Sequence, residues 1–131
     1  MSQSFQTGGI FMEQQEDEGL LVEGYGDGGF RFLGRRVEGS VLVTETGFFP
    51  VDAMLSAALT PEHFEALSES KPEILLIGTG EKMTLLPAGL RKWLQSSDMG
   101  FELMDTGAAA RTFNVLRMED RRVAALLVQV P

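Results

Sequence analysis

Two uninterrupted runs of apolar residues mark the second half of the chain. The first covers residues 74–77, between Pro72 and a Gly-Thr-Gly sequence, and the second covers residues 123–128. Strands with one solvated face alternate apolar and polar residues, whereas strands covered on both faces are continuously apolar. Both runs therefore predict central strands of a sheet that has helices on its two faces. Residues 101–104 predict a further strand.

Segments with helical spacing precede each of these strands. A helix is predicted over residues 61–69, because Thr60 is a favourable N-cap and Pro61 suits the first helical position. A second helix is predicted over residues 88–97, and it also begins directly after a proline. The spacing of its apolar residues places Trp93 on the buried side, so Trp93 is predicted to belong to the core.

A third helix is predicted to begin at residues 105–107, which offer an aspartate or a threonine as its cap. Its buried face follows the spacing i, i+4, i+7 at Ala109, Phe113 and Leu116. Arg111 and Asn114 point well away from that face. Val115 and Met118 also lie off it, which predicts that a second side of the helix is covered by the N-terminal part of the chain.

The first sixty residues show short strands instead of helices. Residues 1–19 are polar and have no sustained period, so a flexible tail is predicted. Residues 20–50 predict an antiparallel meander. Its strands are expected at residues 20–22, at residues 30–33, and in a further strand with Val37, Val41 and Val43 on one face.

Residues 24–29 match the dinucleotide-binding pattern G-x-G-x-x-G. That pattern requires a helix to open at its third glycine. Here the sequence Phe-Arg-Phe follows, with the alternation of a strand, and Asp27-Gly28 is a hairpin turn signal. The sequence therefore favours a hairpin over a nucleotide-binding loop.

The order of elements defines the fold class. From residue 61 onward the predicted order is helix, strand, helix, strand, helix, strand, which is typical of an α/β fold. We predict a single three-layer α/β domain over residues 20–131. Its mixed, largely parallel central sheet is flanked by helices, and an N-terminal antiparallel β-meander completes it.

Composition removes several classes of function. The net charge of −8 disfavours nucleic acid and anionic membrane surfaces as partners. No apolar run approaches the ~20 residues that cross a bilayer, and no signal pattern opens the chain, so no membrane insertion and a cytoplasmic location are predicted. The chain has no cysteine and one histidine, His63, so no metal site and no cofactor are predicted. His63 is expected to be a boundary residue of its helix.

Two turns follow predicted strands and form the candidate ligand site. If the strands are parallel, both turns lie at the same edge of the sheet, where open α/β folds carry their ligand crevice. The second turn also opens a helix, whose free N–H groups favour an anion. A small anionic ligand or an acidic peptide terminus is the predicted occupant. The candidate residues are Gly78, Thr79, Gly80, Asp105, Thr106, Gly107 and Arg111.

Two other interpretations of these turns stay open. The glycines can simply end strands, and the aspartate or threonine can simply cap a helix, since such turns occur in α/β proteins of every function. An acid–base enzyme using Asp105 or Glu81 is the weaker alternative, because carboxylates at helix starts are common. No catalytic residue is assigned.

Five ordered motifs resemble a known family. They are YGDGGFR at residues 25–31, EGSVLV at 38–43, LLIGTG at 75–80, DTGAAARTFNVL at 105–116 and EDRRVAALL at 119–127. Together they are similar to the domain-of-unknown-function family that includes the mitochondrial complex I assembly factor three and the adipogenesis-associated cytosolic protein of animals. Family members often carry a cysteine where this chain has Ala110, so a thiol mechanism is not supported here.

The resemblance covers residues 22–130 and implies a three-layer α/β domain without an established activity. We therefore expect a non-catalytic protein-interaction or assembly-factor-like module, with a protein as its partner. The alternative is a small-ligand-binding protein or enzyme that uses the crevice between the two turns. Association into a homo-oligomer through a meander edge or an apolar patch is also expected to be possible.

Overall fold

In a computed structural model, the structure describes residues 3–7, 10–14 and 20–131. The first five strands in these ranges are β1 (Gln3–Thr7), β2 (Ile10–Gln14), β3 (Gly24–Gly26), β4 (Gly29–Phe32) and β5 (Arg35–Glu38). The other five are β6 (Ser40–Val43), β7 (Phe48–Val51), β8 (Ile74–Gly78), β9 (Gly100–Met104) and β10 (Val123–Leu127). The helices are α1 (Ala88–Ser96) and α2 (Thr106–Met118), with 3₁₀ turns at Ser56–Ala58 and Pro61–Leu67.

The central sheet has five strands in the order β7-β6-β10-β8-β9. β8, β9 and β10 are parallel, whereas β6 is antiparallel to its neighbours β7 and β10. In the middle strand β10, Leu126 lies opposite Leu42 on one side and Ile77 on the other. The two continuous apolar runs of the sequence thus form adjacent interior strands, as predicted, and the predicted mixed sheet is confirmed.

Alternate residues of the central strands enter two separate cores. Leu75 and Ile77 of β8 belong to one core, and Leu76 between them belongs to the other. The same division separates Leu126 from Leu127 in β10. Because successive side chains of a strand point to opposite faces, a run buried on both faces must be apolar throughout.

Different elements cover the two faces of the sheet. Phe64 and Leu67 of the 3₁₀ turns and Leu90 and Leu94 of α1 pack in the core on one face. On the other face, Phe113 of α2 shares a core with residues of the antiparallel sheet β3-β4-β5. This arrangement confirms the predicted three-layer α/β architecture.

The N-terminal meander is divided between two sheets. Val37 lies in β5 of the three-stranded sheet, whereas Val41 and Val43 lie in β6 of the central sheet. Gly39 separates the two strands with a φ of +86°, a conformation that favours glycine. The prediction of one strand carrying all three valines is therefore wrong, because the backbone changes direction at this glycine.

The segment before β3 is held by a side chain instead of forming the predicted strand at residues 20–22. The amide of Asn114 in α2 accepts a hydrogen bond from the N–H of Val22 and donates one to its carbonyl oxygen, both at 2.8 Å. Asn114 faces away from the α2 core, as predicted, but its role as a clamp was not visible in the periodicity.

Two predictions about the helical layers need correction. The helix expected over residues 61–69 is a run of 3₁₀ turns that ends at Leu67. Trp93 is not a core residue: its ring contacts Phe64, with the centroids 6.1 Å apart, but 38% of its surface is exposed. Val115 and Met118 are exposed by 52% and 73%, so the side of α2 that carries these two residues is not covered by a described element.

The prediction of a flexible tail over residues 1–19 falls partly on residues that the structure does not describe. Within residues 1–19, β1 and β2 pair in an antiparallel hairpin, with Phe5 opposite Met12. Residues 1–2, 8–9 and 15–19 lie outside the described residues. Flexibility of this segment stays a prediction.

Candidate functional site

The structure brings the two candidate turns together at one edge of the central sheet. β8 and β9 are parallel, and their last residues, Gly78 and Met104, lie opposite each other. The chain therefore leaves both strands at the same edge and continues into residues 79–80 after β8 and residues 105–107 after β9. We call these the 78–80 turn and the 105–107 turn.

The hydroxyl group of Thr106 links the two turns. It accepts a hydrogen bond from the N–H of Gly80 at 2.9 Å and donates one to the carbonyl oxygen of Val128 at 2.7 Å. The N–H of Thr106 in turn donates to the carbonyl oxygen of Gly80 at 2.8 Å. The side chain is fully buried, so these bonds hold the start of α2, the 78–80 turn and the segment after β10 as one unit.

Gly78 is required by the close approach of α2. A Cβ atom on Gly78 would lie 2.8 Å from the Cα atom of Thr106 and 3.1 Å from the Cβ atom of Ala109. No real Cβ atom tolerates the first distance, so only glycine lets the helix pack directly on the end of β8.

Thr79 shapes the loop that follows β8. Its hydroxyl group donates to the carbonyl oxygen of Lys82 and accepts from the N–H of Thr84, both at 2.9 Å. The next residue, Gly80, has a φ of +118°, where other residues are strained. The hydroxyl groups of Thr79 and Thr106 are thus both hydrogen-bonded to backbone groups. The two turns contact each other directly, at the place where the sequence predicted a crevice between them.

The remaining candidates lie on the other side of this unit. Asp105 caps α2 by accepting a hydrogen bond from the N–H of Ala108 at 2.8 Å. Arg111 donates to the hydroxyl oxygen of Tyr25 at 2.9 Å. A Cβ atom on Gly107 would lie 2.6 Å from that same oxygen, so Gly107 makes room for the tyrosine. Gly107 and Arg111 therefore face the β3-β4 hairpin. Ligand binding by the seven candidate residues stays a prediction.

The glycine-rich stretch around Tyr25 forms the predicted hairpin. Gly26 pairs with Gly29 across a two-residue turn, and Asp27 and Gly28 have φ values of +53° and +80°. Two consecutive positive φ values are typical of the type I′ turn that joins antiparallel strands. No helix begins at Gly29, which is the first residue of β4, so the structure does not support the dinucleotide-binding interpretation.

Two irregular loops next to the 78–80 turn carry an apolar surface that the sequence pattern did not indicate. Residues 52–59 and 81–87 are joined by a hydrogen bond of 2.8 Å between the hydroxyl groups of Ser56 and Thr84. Eight large hydrophobic side chains are exposed among the described residues, and four of them lie in these loops. We call these four the edge patch: Met54, Leu55, Met83 and Leu85, which are 54–68% exposed.

A hollow of about 550 Å³ lies beside the edge patch. Its lining includes Met54, Leu55, Thr79, Gly80 and Lys82. Apolar residues in a segment without a period, such as residues 52–59, were the only sequence signal for this surface. The 105–107 turn does not line this hollow.

His63 has a local structural role. Its Nδ1 atom accepts a hydrogen bond from the N–H of Thr60 at 3.0 Å, and its Nε2 atom lies 2.7 Å from a carboxylate oxygen of Asp52. Both ring nitrogens are thus engaged at the start of the 3₁₀ turns, as expected of a boundary residue. Within residues 20–131, no group of three His, Asp or Glu side chains is placed to hold a metal ion.

The five-stranded central sheet and the elements packed on its two faces define a small three-layer α/β domain. The chain belongs to the family described as protein of unknown function (DUF498/DUF598), whose profile matches residues 22–128. This confirms the family resemblance drawn from the five sequence motifs.

Named relatives give this family its context. The chain is 34% identical over 118 residues to an uncharacterized protein of Rhodobacter capsulatus, and the match covers 86% of each. It is 28% identical over 119 residues to the NADH dehydrogenase (ubiquinone) 1 alpha subcomplex assembly factor 3 of Xenopus tropicalis. That match covers 89% of this chain and 65% of the assembly factor. Assembly factors are therefore among its relatives.

A solved structure agrees with the fold. The chain is similar to an outer membrane protein from Bartonella henselae, with a TM-score of 0.78 and 40% identity over 88% of this chain and 98% of that one. In the described part of this chain, no helix has both the length and the apolar character needed to span a bilayer. The cytoplasmic location stays a prediction.

Proposed function

We propose that this chain is a non-catalytic, assembly-factor-like module that holds a partner protein at the edge patch. The observation that carries the proposal is the concentration of exposed apolar side chains in two loops at one edge of the sheet. Large apolar patches on soluble monomers mark interaction sites. The partner is expected to present an apolar polypeptide segment to this patch.

The loops that carry the edge patch are held in place before any partner arrives. The bond between Ser56 and Thr84 joins them to each other. The hydroxyl group of Thr79 fixes the second loop to the end of β8. Because little order has to be gained on binding, most of the free energy from burying the four side chains remains available for affinity.

The relatives support a partner that is one subunit of a larger complex. The Xenopus tropicalis relative is named as an assembly factor for a subcomplex of NADH dehydrogenase. Its aligned part covers 89% of this chain, so both loops of the edge patch lie within the shared domain. We propose the same kind of role here, the temporary holding of a subunit during assembly.

The double variant Leu55→Ser, Leu85→Ser is expected to lose its partner. Burying an apolar side chain of this size is worth about 1.5–3 kcal/mol, so losing two should weaken association by about a hundredfold or more. The measurement is quantitative recovery of partner proteins that crosslink to a photoreactive residue at position 83 of the full chain in its native cell.

The control for this experiment is Val115→Ser, Met118→Ser. These residues are also exposed but lie on α2, outside the edge patch. The control variant should keep the partner, and thermal unfolding should show that both variants remain folded. Equal recovery of the partner by the edge-patch variant and the wild type would contradict the proposal.

A second proposal is a small anionic ligand beside the 78–80 turn. The observation that favours it is the hollow next to Gly80, whose lining carries the positive charge of Lys82 beside the carboxylate of Glu81. Titration of labelled protein with phosphate, nucleotides and carboxylates is expected to shift the amide resonances of the 78–80 turn, and those of the 105–107 turn to which it is bonded. Unchanged resonances in both turns at millimolar ligand would rule out this second proposal.

A further inference from the structure

A groove lies between the 3₁₀ turns Pro61–Leu67 and helix α1, on the face of the sheet that these elements cover. Its volume is about 460 Å³, and its lining shares no residue with that of the hollow beside the edge patch. We call it the helix groove. Its apolar lining includes Phe64, Leu67, Trp93 and Met99.

Trp93 is the unusual member of this lining. The apolar spacing of α1 predicts a core residue, yet the indole ring is 38% exposed and only partly covered by Phe64. An exposed tryptophan at a groove is costly in water and is enriched where proteins bind partners. Its ring face also attracts cations more strongly than that of any other side chain.

Two carboxylates stand on one wall of the helix groove. Glu62 and Glu65 both line it, and they are three residues apart in a 3₁₀ segment. Because a 3₁₀ helix has about three residues per turn, these side chains project from the same side, one above the other. Neither carboxylate has a hydrogen bond or ion pair to another residue of the described part of the chain.

The charges of the helix groove favour a cationic occupant. Lys71 also lines it, so the lining carries two negative charges and one positive charge. The whole chain has a net charge of −8, which attracts basic partners at long range. A lysine or arginine of a bound partner, placed near Trp93, would pair with the carboxylates and stack on the indole ring. Apolar side chains next to it in the partner would cover Phe64, Leu67 and Met99.

We infer that the helix groove binds a basic amphipathic segment of a partner protein. Cationic side chains of that segment pair with Glu62 and Glu65 and stack on Trp93, and its apolar side chains fill the remaining lining. The inference goes beyond the proposed function because it concerns a separate surface. It stands or falls independently of the edge patch.

Trp93 is the only tryptophan of the chain, so its fluorescence reports directly on the helix groove. The probe is a synthetic 18-residue helical peptide without tryptophan, made of leucine on one face and lysine on the other. Titration into the full chain is expected to give a saturable change in Trp93 emission, weakened at least fivefold when salt rises from 50 to 500 mM. A peptide with glutamate in place of every lysine should produce no change.

Matched variants separate the helix groove from general charge attraction. Glu62→Gln, Glu65→Gln should weaken peptide binding at least fivefold. Glu119→Gln, Asp120→Asn makes the same change in net charge at the end of α2 and should leave binding within twofold. Leu55→Ser, Leu85→Ser should also leave it unchanged, which distinguishes this surface from the edge patch.

Three outcomes would overturn the inference. The first is an unchanged Trp93 emission at saturating peptide. The second is equal weakening by the groove and control charge variants, which would mean attraction to the acidic protein as a whole. The third is a change in Trp93 emission with protein concentration alone, which would identify a second copy of the chain as the occupant.

Discussion

Replacing Thr106 with valine should lower the free energy of unfolding by about 2–4 kcal/mol. Valine keeps the shape of threonine but removes the hydroxyl group that accepts from Gly80 and donates to Val128. Both backbone groups are left buried without a partner, and each such loss costs about 1–3 kcal/mol. Urea unfolding followed by circular dichroism measures the difference.

Two controls isolate the hydroxyl group of Thr106. Thr106→Ser keeps the hydroxyl group and should lose clearly less stability than the valine variant. Thr46→Val makes the same chemical change at an exposed position and should stay within about 0.5 kcal/mol of wild type. A loss below about 1 kcal/mol for Thr106→Val would mean that water or a backbone shift satisfies Gly80 and Val128.

Replacing Gly78 with alanine should destabilise the domain by about 2–3 kcal/mol, because overpacking forces a backbone shift. The added methyl group would meet the Cα atom of Thr106 at 2.8 Å, and a backbone atom cannot rotate away as a side chain can. Helix α2 must therefore move off the end of β8. Urea unfolding gives the loss, and amide resonances at the start of α2 should report the shift.

A second glycine provides a control with the opposite sign. Gly89 lies in α1, and nothing lies within 4 Å of the place where its Cβ atom would stand. Gly89→Ala should raise the free energy of unfolding by roughly 0.5–1 kcal/mol, because alanine is the better helix former. If both variants changed stability in the same direction, the contact between α2 and β8 would not be the reason for glycine at position 78.

The interior strands and the helices between them could be predicted because their signals are local. An unbroken apolar run identifies β8 and β10 without knowledge of their neighbours, and Asp105 caps α2 through a residue only three positions away. The hairpin at Asp27 and Gly28 is equally local, since the turn type follows from two residues.

What could not be predicted depends on residues far apart in the chain. Val37 and Val41 fit one strand by period, and only the tertiary structure shows that the chain changes sheet at Gly39. Trp93 has the spacing of a core residue, but the short 3₁₀ turns opposite α1 leave its ring partly uncovered.

The candidate site shows the same limit. The sequence placed the two turns at one sheet edge, which follows from parallel strands alone. It could not show that the hydroxyl group of Thr106 is taken by Val128, because that bond depends on where the segment after β10 runs. The edge patch could not be predicted for another reason. Its loops have no hydrophobic period, so the sequence does not indicate which of their side chains are exposed.

The position of β10 in the sheet has a consequence for how the chain folds. This strand joins β6, from the N-terminal half, to β8, and its partners Leu42 and Ile77 are both distant in sequence. Neither half of the chain can form the central sheet alone. Folding therefore requires contacts between residues far apart in sequence, and it should be slow for a domain of this size. Until β10 arrives, the open edges of β6 and β8 are exposed, and a nascent chain at this stage is prone to pair with the wrong strand.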